Sequence, residues 1–275
     1  MYKETKREAS LSVQAYLDRM NYSGPTDISF NTLKELQITH LQNIPYENLD
    51  ILAKKPISLS IEAIYDKIVV RRRGGYCFEL NGLFGWLLKK MGFDVVEYLG
   101  RWLKGEPIEV PVRRHRVPIV KINGKSYLTD VGLGHFGSKW PLLLEEGLEQ
   151  VQDDEKYRIV SHEKMGWVVQ SFEDGLWGNL FSFSIDLVQP IDFLQPNWYC
   201  TTHPDSIFLH NTMVYRRTPE GRNTIADVID PVTGEKVKQI RNFKGDTVET
   251  MVPRTEKEFL DALKKYFGIE LNNCE

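Results

Sequence analysis

Residues 71–82 read Arg71-Arg72-Arg73-Gly74-Gly75-Tyr76-Cys77-Phe78-Glu79-Leu80-Asn81-Gly82. The paired glycines open backbone conformations closed to other residues, and beyond them Leu80, Phe84, Leu87, Leu88 and Met91 recur at helical spacing until Gly92. The stretch predicts a turn feeding a helix with a buried face, and Cys77 falls in its first turn. Unpaired N–H groups and the positive end of the helix dipole favour a thiolate there and offer donors to an oxyanion. A cysteine is also a common buried small hydrophobe, so position alone leaves a nucleophile and a plain core residue both open.

Upstream, the chain reads as helices. Leu11, Tyr16, Leu17 and Met20 share a face, and Gly24-Pro25 breaks the chain. Thr32 and Glu35 have capping-box spacing ahead of Leu33, Leu36, Leu41 and Ile44, and Ser60 is a cap for Ile61, Ile64 and Ile68. Ile44-Pro45-Tyr46-Glu47-Asn48-Leu49-Asp50 reads as a connecting loop in the resulting bundle. Downstream of Asp94 the pattern changes to short strands: 95–103, 115–122, 126–131, 157–160 and 167–171, which predict a small barrel or strongly curved sheet. Residues 213–217 and 223–228 flank Pro219-Glu220-Gly221 as another hairpin. Thr255 and Glu258 then open a last helix, with Phe259, Leu263 and Phe267 on one face and Gly268 at its end.

One hairpin carries chemistry. His115 to Ile122 meets Ser126 to Val131 through Asn123-Gly124, the favoured dipeptide for a two-residue turn. If Ile122 pairs with Lys125, opposed residue numbers sum to 247, and Asp130 faces Val117, two residues from His115. His115 and Asp130 then share one face as diagonal neighbours, close enough for the carboxylate to accept an imidazole N–H. Pro118 weakens this register, because it cannot donate to a ladder. With Cys77, the pair supplies the parts of a Cys-His-Asp triad, in which Asp fixes the tautomer and His moves the proton. His40, His135, His162, His203 and His210 have no such partner and read as structural or surface residues. Gly132-Leu133-Gly134-His135-Phe136-Gly137 matches a dinucleotide fingerprint, but Lys139-Trp140-Pro141 follows where a helix is required, so that reading is rejected.

Composition bounds the rest. The 275 residues, 41% hydrophobic, suffice for one large domain or two to three small ones. A net charge of -3 gives no global field for nucleic acid, although Arg71, Arg72, Arg73, Arg101, Arg113, Arg114 and Arg116 are grouped, either as solvated loop residues or as attraction for an anionic ligand. Cys77, Cys200 and Cys274 share no spacing suited to zinc or a disulfide framework, which points to a reducing cytosol. No stretch approaches the roughly 18 apolar residues of a membrane span, and the charged start, Met1 to Glu8, has no apolar core behind it.

Taken together, the chain resembles the arylamine N-acetyltransferases. Arg73 to Asn81 looks like the family's Arg-Gly-Gly-x-Cys-x-Glu-x-Asn motif, His115 and Asp130 follow at its spacings of 38 and 15 residues, and Asp130-Val131-Gly132-Leu133-Gly134 resembles its Asp-Val-Gly-Phe-Gly segment. Tyr16 to Met20 with Gly24-Pro25, and Ile44 to Leu49, are similar to its N-terminal signatures; Asn197 to His203 and Arg216 to Arg222 resemble less specific later segments. The resemblance implies an α+β chain of the cysteine-protease-like kind: a helical bundle over 1–92 bearing the cysteine, a β-barrel over 93–203 bearing His and Asp, and an α/β lid over 204–275.

It also implies ping-pong acetyl transfer from acetyl-coenzyme A through a Cys77 thioester to an arylamine or hydrazine, with no metal, nucleic acid or membrane involved. Cys77, His115 and Asp130 would be catalytic, Tyr46, Leu133 and Gly134 would line the substrate and coenzyme site, and Glu47 and Arg73 would brace it. Tyr46 stands where many members have Phe, and Leu133 replaces an aromatic, which points to a more polar, roomier acceptor pocket or to neutral packing swaps. A related amide synthase taking a larger acyl donor, a thiol hydrolase with the same triad and a non-catalytic binding relative are the alternatives.

Overall fold

The computed structural model of the chain describes residues 11–106 and 109–271. Cys274 and the charged N-terminal stretch lie outside the described residues. Helices begin where short polar side chains satisfy backbone N–H groups that a helix leaves unpaired. Ser12 accepts from the Ala15 N–H ahead of Val13–Arg19, Ser29 from Thr32 ahead of Phe30–Asn43, and Ser60 from Ala63 ahead of Ile61–Tyr65. Ser60 caps as the sequence predicts. The second helix starts a turn earlier than the Thr32–Glu35 spacing predicts, because Ser29 takes the cap and the Thr32 hydroxyl donates to Asp27 at 2.6 Å.

Ile61–Tyr65 runs into a wide π turn, Asp66–Val70, and the Arg71 to Tyr76 loop then delivers the Cys77–Lys90 helix with Cys77 as its first residue. That helix is buried on every side from Cys77 to Leu88, so it is the axis of the helical core rather than a helix with a single buried face. Around it pack Tyr16, Leu33, Leu36, Ile64 and Ile68, and Phe193, Cys200 and Phe208 from far downstream.

Eight antiparallel strands form the central sheet, in the spatial order Leu142–Leu143, Lys125–Leu128, His115–Ile122, Asp94–Trp102, Leu176–Phe183, Gly166–Glu173, Glu155–His162, Gln150–Gln152. It curls nearly closed. Glu146, just past one edge, bridges Ile159 near the other, and the Gly147 N–H donates to the Ile159 carbonyl at 2.8 Å. Val117, Ile119, Leu128, Ile159, Val169 and Phe181 fill it as a second core. Gly134–Phe136 is a short 3-10 turn with no helix after it, in keeping with the rejected dinucleotide site.

The third layer is a five-stranded antiparallel sheet ordered Tyr46–Glu47, Met213–Thr218, Gly221–Ile229, Lys236–Lys244, Thr247–Met251, with the Glu256–Ala262 helix and its π-turn continuation Leu263–Phe267 packed on Val214, Ile225 and Ile240. Thr255 caps that helix, and Gly268 ends it at φ +69°. Tyr46 and Glu47 do not lie in a plain connecting loop; they form an edge strand opposite Tyr215 and Val214, and so tie the helical region to the C-terminal sheet.

Candidate active site

The hairpin keeps the predicted register. Ile122 pairs with Lys125 and Ile119 with Leu128, and the Thr129 N–H still reaches the Pro118 carbonyl at 3.1 Å. In an antiparallel pair the N–H and C=O of one residue face the same neighbour. Pro118 has no N–H to return, so the ladder ends beside it and Asp130 leaves the strand toward His115. Asp130 Oδ2 lies 2.6 Å from His115 Nε2, with both side chains buried. In a neutral imidazole this places the ring proton on Nε2, donated to the carboxylate, with Nδ1 as the free acceptor. The other oxygen, Oδ1, accepts from Asn81 Nδ2 and from the Gly132 N–H, each at 2.8 Å.

Cys77 is 3% exposed, and its Sγ lies 3.7 Å from the carbonyl of Arg114, the residue before His115. Burial pushes the thiol well up, with Cys200 and the Asp130 carboxylate acting in the same direction; the Phe78 N–H and the Arg114 guanidinium oppose them. The helix start therefore does not by itself hold a thiolate here, and a proton acceptor is needed. Gly132 lets the Asp130 loop close over the cysteine, since a Cβ there would sit 2.8 Å from the Cys77 Cα and 2.8 Å from Asn81 Nδ2.

Cys77 and His115 open onto one cavity of about 230 Å³. Its other walls are Tyr46 from the edge strand of the C-terminal sheet, Trp102, Gly132, Leu133 and Phe136 from the barrel and its loops, and Ile207, Phe208, Met213 and Tyr215 from the C-terminal third, with Lys104 and Arg114 as its charged residues. None of the other described histidines lines it.

These features have close counterparts among known proteins. A family model described as N-acetyltransferase matches residues 29–275. The arylamine N-acetyltransferase of Mycobacterium tuberculosis (strain ATCC 25618 / H37Rv) is 38% identical over 205 residues, 73% of this chain and 72% of that one. This chain belongs to the arylamine N-acetyltransferase family. Its fold superposes on the arylamine N-acetyltransferase of Salmonella typhimurium with a TM-score of 0.86 at 28% identity, covering 96% of this chain and 93% of that one. The Mycobacterium marinum arylamine N-acetyltransferase in complex with CoA gives 0.83 at 33% identity, with 94% and 93% covered.

Within that family frame, the remaining residues singled out in the sequence fall in three places. Tyr46 and Leu133 line the cavity, and Tyr46 packs on Tyr215 with ring centroids 5.7 Å apart. Gly134 does not line it; at φ +61° its absent Cβ would lie 2.5 Å from Tyr215 Cδ2, so it serves close packing of the loop on the C-terminal sheet. Glu47 and Arg73 lie behind Cys77 as a buried pair, with Arg73 nitrogens 2.8 and 3.1 Å from Glu47 Oε1 and 3.1 Å from Asp50.

Four of the grouped arginines are paired with carboxylates: Arg114 with Glu106, Arg116 with Glu97, Arg113 with Asp186 and Arg71 with Asp66. Six contributors carry no role in the sequence reading. Asn81 lies one helical turn from Cys77, which puts it on the same face, and that spacing was the available signal. Lys67 and Glu79 form a buried ion pair at 2.9 Å with nothing in local pattern to mark it. Phe208, Met213 and Tyr215 reach the cavity only through tertiary folding.

Proposed function

We propose that the chain transfers acetyl from acetyl-coenzyme A to the nitrogen of an arylamine or hydrazine through a thioester on Cys77, with His115 and Asp130 as its catalytic partners. The observation that carries this reading is the 2.6 Å bond from His115 to Asp130 on the wall of the cavity that Cys77 shares. Asp130 fixes the imidazole with Nδ1 open, and Nδ1 takes the proton of a thiol that burial keeps protonated. The thiolate attacks the acetyl carbonyl, and collapse expels the coenzyme thiolate, which receives the proton from the imidazolium. The amine nitrogen then attacks the Cys77 thioester, gives its proton to His115, and the cysteine leaves to recover it.

A cavity of about 230 Å³ with mainly apolar walls suits an acetyl group and a single aromatic ring and disfavours the long acyl chain of an amide synthase. Tyr46 and Leu133 are proposed to contact the acceptor and Gly134 to shape the loop beside the coenzyme, with Glu47 and Arg73 bracing the cysteine. The division into 1–92, 93–203 and 204–275 is likewise proposed; a separate core inside the barrel supports its middle part, while the first core also takes Val120, Ile122, Phe193, Cys200 and Phe208 and the third takes Leu49. No helix among the described residues is long and apolar enough to cross a membrane. We propose a reducing cytosol as the compartment, since Cys77 and Cys200 are both free thiols.

The test is intact mass after incubation with acetyl-coenzyme A, on the wild type and Cys77→Ala, followed by a chase with a simple arylamine. One acetyl adduct is expected, absent from Cys77→Ala and discharged as N-acetyl amine. Steady release of coenzyme thiol without amine would mean a hydrolase. A reactive Cys77 that forms no adduct would refute the acetyl donor.

A further inference from the structure

Behind the cysteine, Lys67 is the hub of a buried charge cluster. Its ammonium lies 2.9 and 3.2 Å from the two Glu79 oxygens, 2.8 Å from Asp50 Oδ2 and 3.9 Å from Glu47 Oε1. A lysine so enclosed is rarely found unless paired. It does not line the cavity, so any effect on the chemistry has to pass through another residue.

That residue is Glu79. Glu79 is the third residue of the Cys77 helix, and its Oε2 also accepts the Tyr76 N–H at 3.1 Å, so one carboxylate links Lys67 to the helix start. Gly75 leaves the space, because a Cβ there would lie 2.9 Å from the Glu79 Cβ. The backbone carrying Lys67 is fixed in turn. Asp66–Val70 is a π turn, and Arg19 donates to the carbonyls of Ile68, Arg72 and Arg73 at 3.0 to 3.3 Å. A π turn often marks a functional constraint, and here it aims an ammonium at a helix terminus.

We infer that Lys67 is a positioning residue for Cys77: its charge keeps Glu79 ionised and clamped on the Tyr76 N–H, which holds the first helical turn and its free N–H groups against the sulfur. This rests on Cys77 being the nucleophile of the proposed reaction. The charged groups around Lys67 are Glu47, Asp50 and Glu79, and those around Glu79 are Lys67 and Glu47. Without the ammonium, Glu79 faces only the like charge of Glu47 in a buried site. It then takes up a proton and loosens its hold, the first turn frays, and the thiolate loses its stabilisation.

The experiment is alkylation of Cys77 by iodoacetamide across pH, read by peptide mass. The thiolate displaces iodide, so the rate follows the thiolate fraction and needs no acetyl donor; failure of this inference is thereby separable from failure of the proposed acetyl transfer. Lys67→Met is expected to alkylate about tenfold more slowly at pH 7, with the apparent pKa of Cys77 about one unit higher. Lys67→Arg should restore most of the rate. The double variant Lys67→Met/Glu79→Gln should return close to wild type, because the amide oxygen still accepts the Tyr76 N–H and needs no cation. A wild-type profile in Lys67→Met, or a double variant no faster than the single, overturns the inference. If Lys67→Met does not fold, a folded and reactive double variant supports it, and a double variant that stays slow or unfolded overturns it.

Discussion

The two sides of the Cys77 helix are held by different chemistry. Toward the cavity, Asp130 joins His115, Asn81 and the Gly132 N–H through short hydrogen bonds inside one hairpin, its following loop and one helical turn. Glu79, two residues past Cys77 and so on the other side of the helix, is paired with Lys67 of the Asp66–Val70 turn, which also meets Asp50, while Arg73 pairs with Glu47 beside them. The hydrogen-bonded side fixes where a proton sits. The ionic side fixes where the helix begins. Losses at Asp130 should appear in rate and losses at Arg73 in stability, whereas Lys67, which reaches the helix start through Glu79, is the ionic member expected to reach the thiol; that contrast can be broken experimentally.

The largest expected effect is on the cavity side. In Asp130→Asn the amide NH₂ faces His115 Nε2, which must then accept, so the ring proton moves to Nδ1 and the base toward the thiol is lost. Acetylation of Cys77 should fall by roughly 10³- to 10⁴-fold, as expected when a triad carboxylate is replaced by its amide. Melting temperature should change little, because Oδ1 retains its two donors. A large loss of stability with near-normal acetylation of the folded fraction would reverse the contrast.

Arg73→Met probes the ionic side. It leaves Glu47, fully buried, without its guanidinium, and breaking a buried pair by removing one partner costs about 3–5 kcal/mol. Denaturant unfolding should show that loss, while the folded fraction keeps most of its acetylation rate.

How much of this was legible in the sequence follows the same division. The Asn123-Gly124 turn and a period of two were enough to set the hairpin register, so the His115–Asp130 contact could be read from residue numbers. Ser60 and Thr255 could be read because caps are local. Lys67 could not, because three carboxylates meet it from Glu47, Asp50 and Glu79, and no periodic pattern links them. Tyr46 looks like loop in the sequence because a two-residue strand has no period to detect; its partner, Tyr215, lies in the last third of the chain. The environment of Cys77 divides the same way: the Phe78 N–H that lowers its thiol belongs to the local helix start, whereas the burial that raises it is tertiary.

Gly132→Ala tests how closely the cavity side is built. The added methyl meets the Cys77 Cα and Asn81 Nδ2 at 2.8 Å each, contacts that only a shift of the Asp130 loop relieves. Overpacking of this kind costs about 1–3 kcal/mol, and because the same loop carries Asp130, acetylation should fall by about tenfold or more. Normal acetylation at normal stability would show that the loop has slack the contacts do not suggest.

The smallest expected effect comes from the ionic side and separates its members. Glu47, Asp50 and Glu79 face two cations, Lys67 and Arg73, so the cluster holds one acid in excess. The excess falls on Glu79: burial raises its carboxyl, whereas Lys67 and Arg73 hold Asp50 below its ordinary value despite burial. With the folded value above the unfolded one, the native state binds the Glu79 proton more tightly, and stability falls as pH rises from the unfolded value of 4.5 through the folded one. Asp50 works oppositely, contributing stability above 3.8 that is lost as pH falls. Glu79→Gln should therefore be nearly neutral at pH 7, within about 1 kcal/mol and on the stabilising side if either, and should flatten the decline above pH 4.5. A loss comparable to Arg73→Met would mean that the Glu79 charge is itself a net stabiliser.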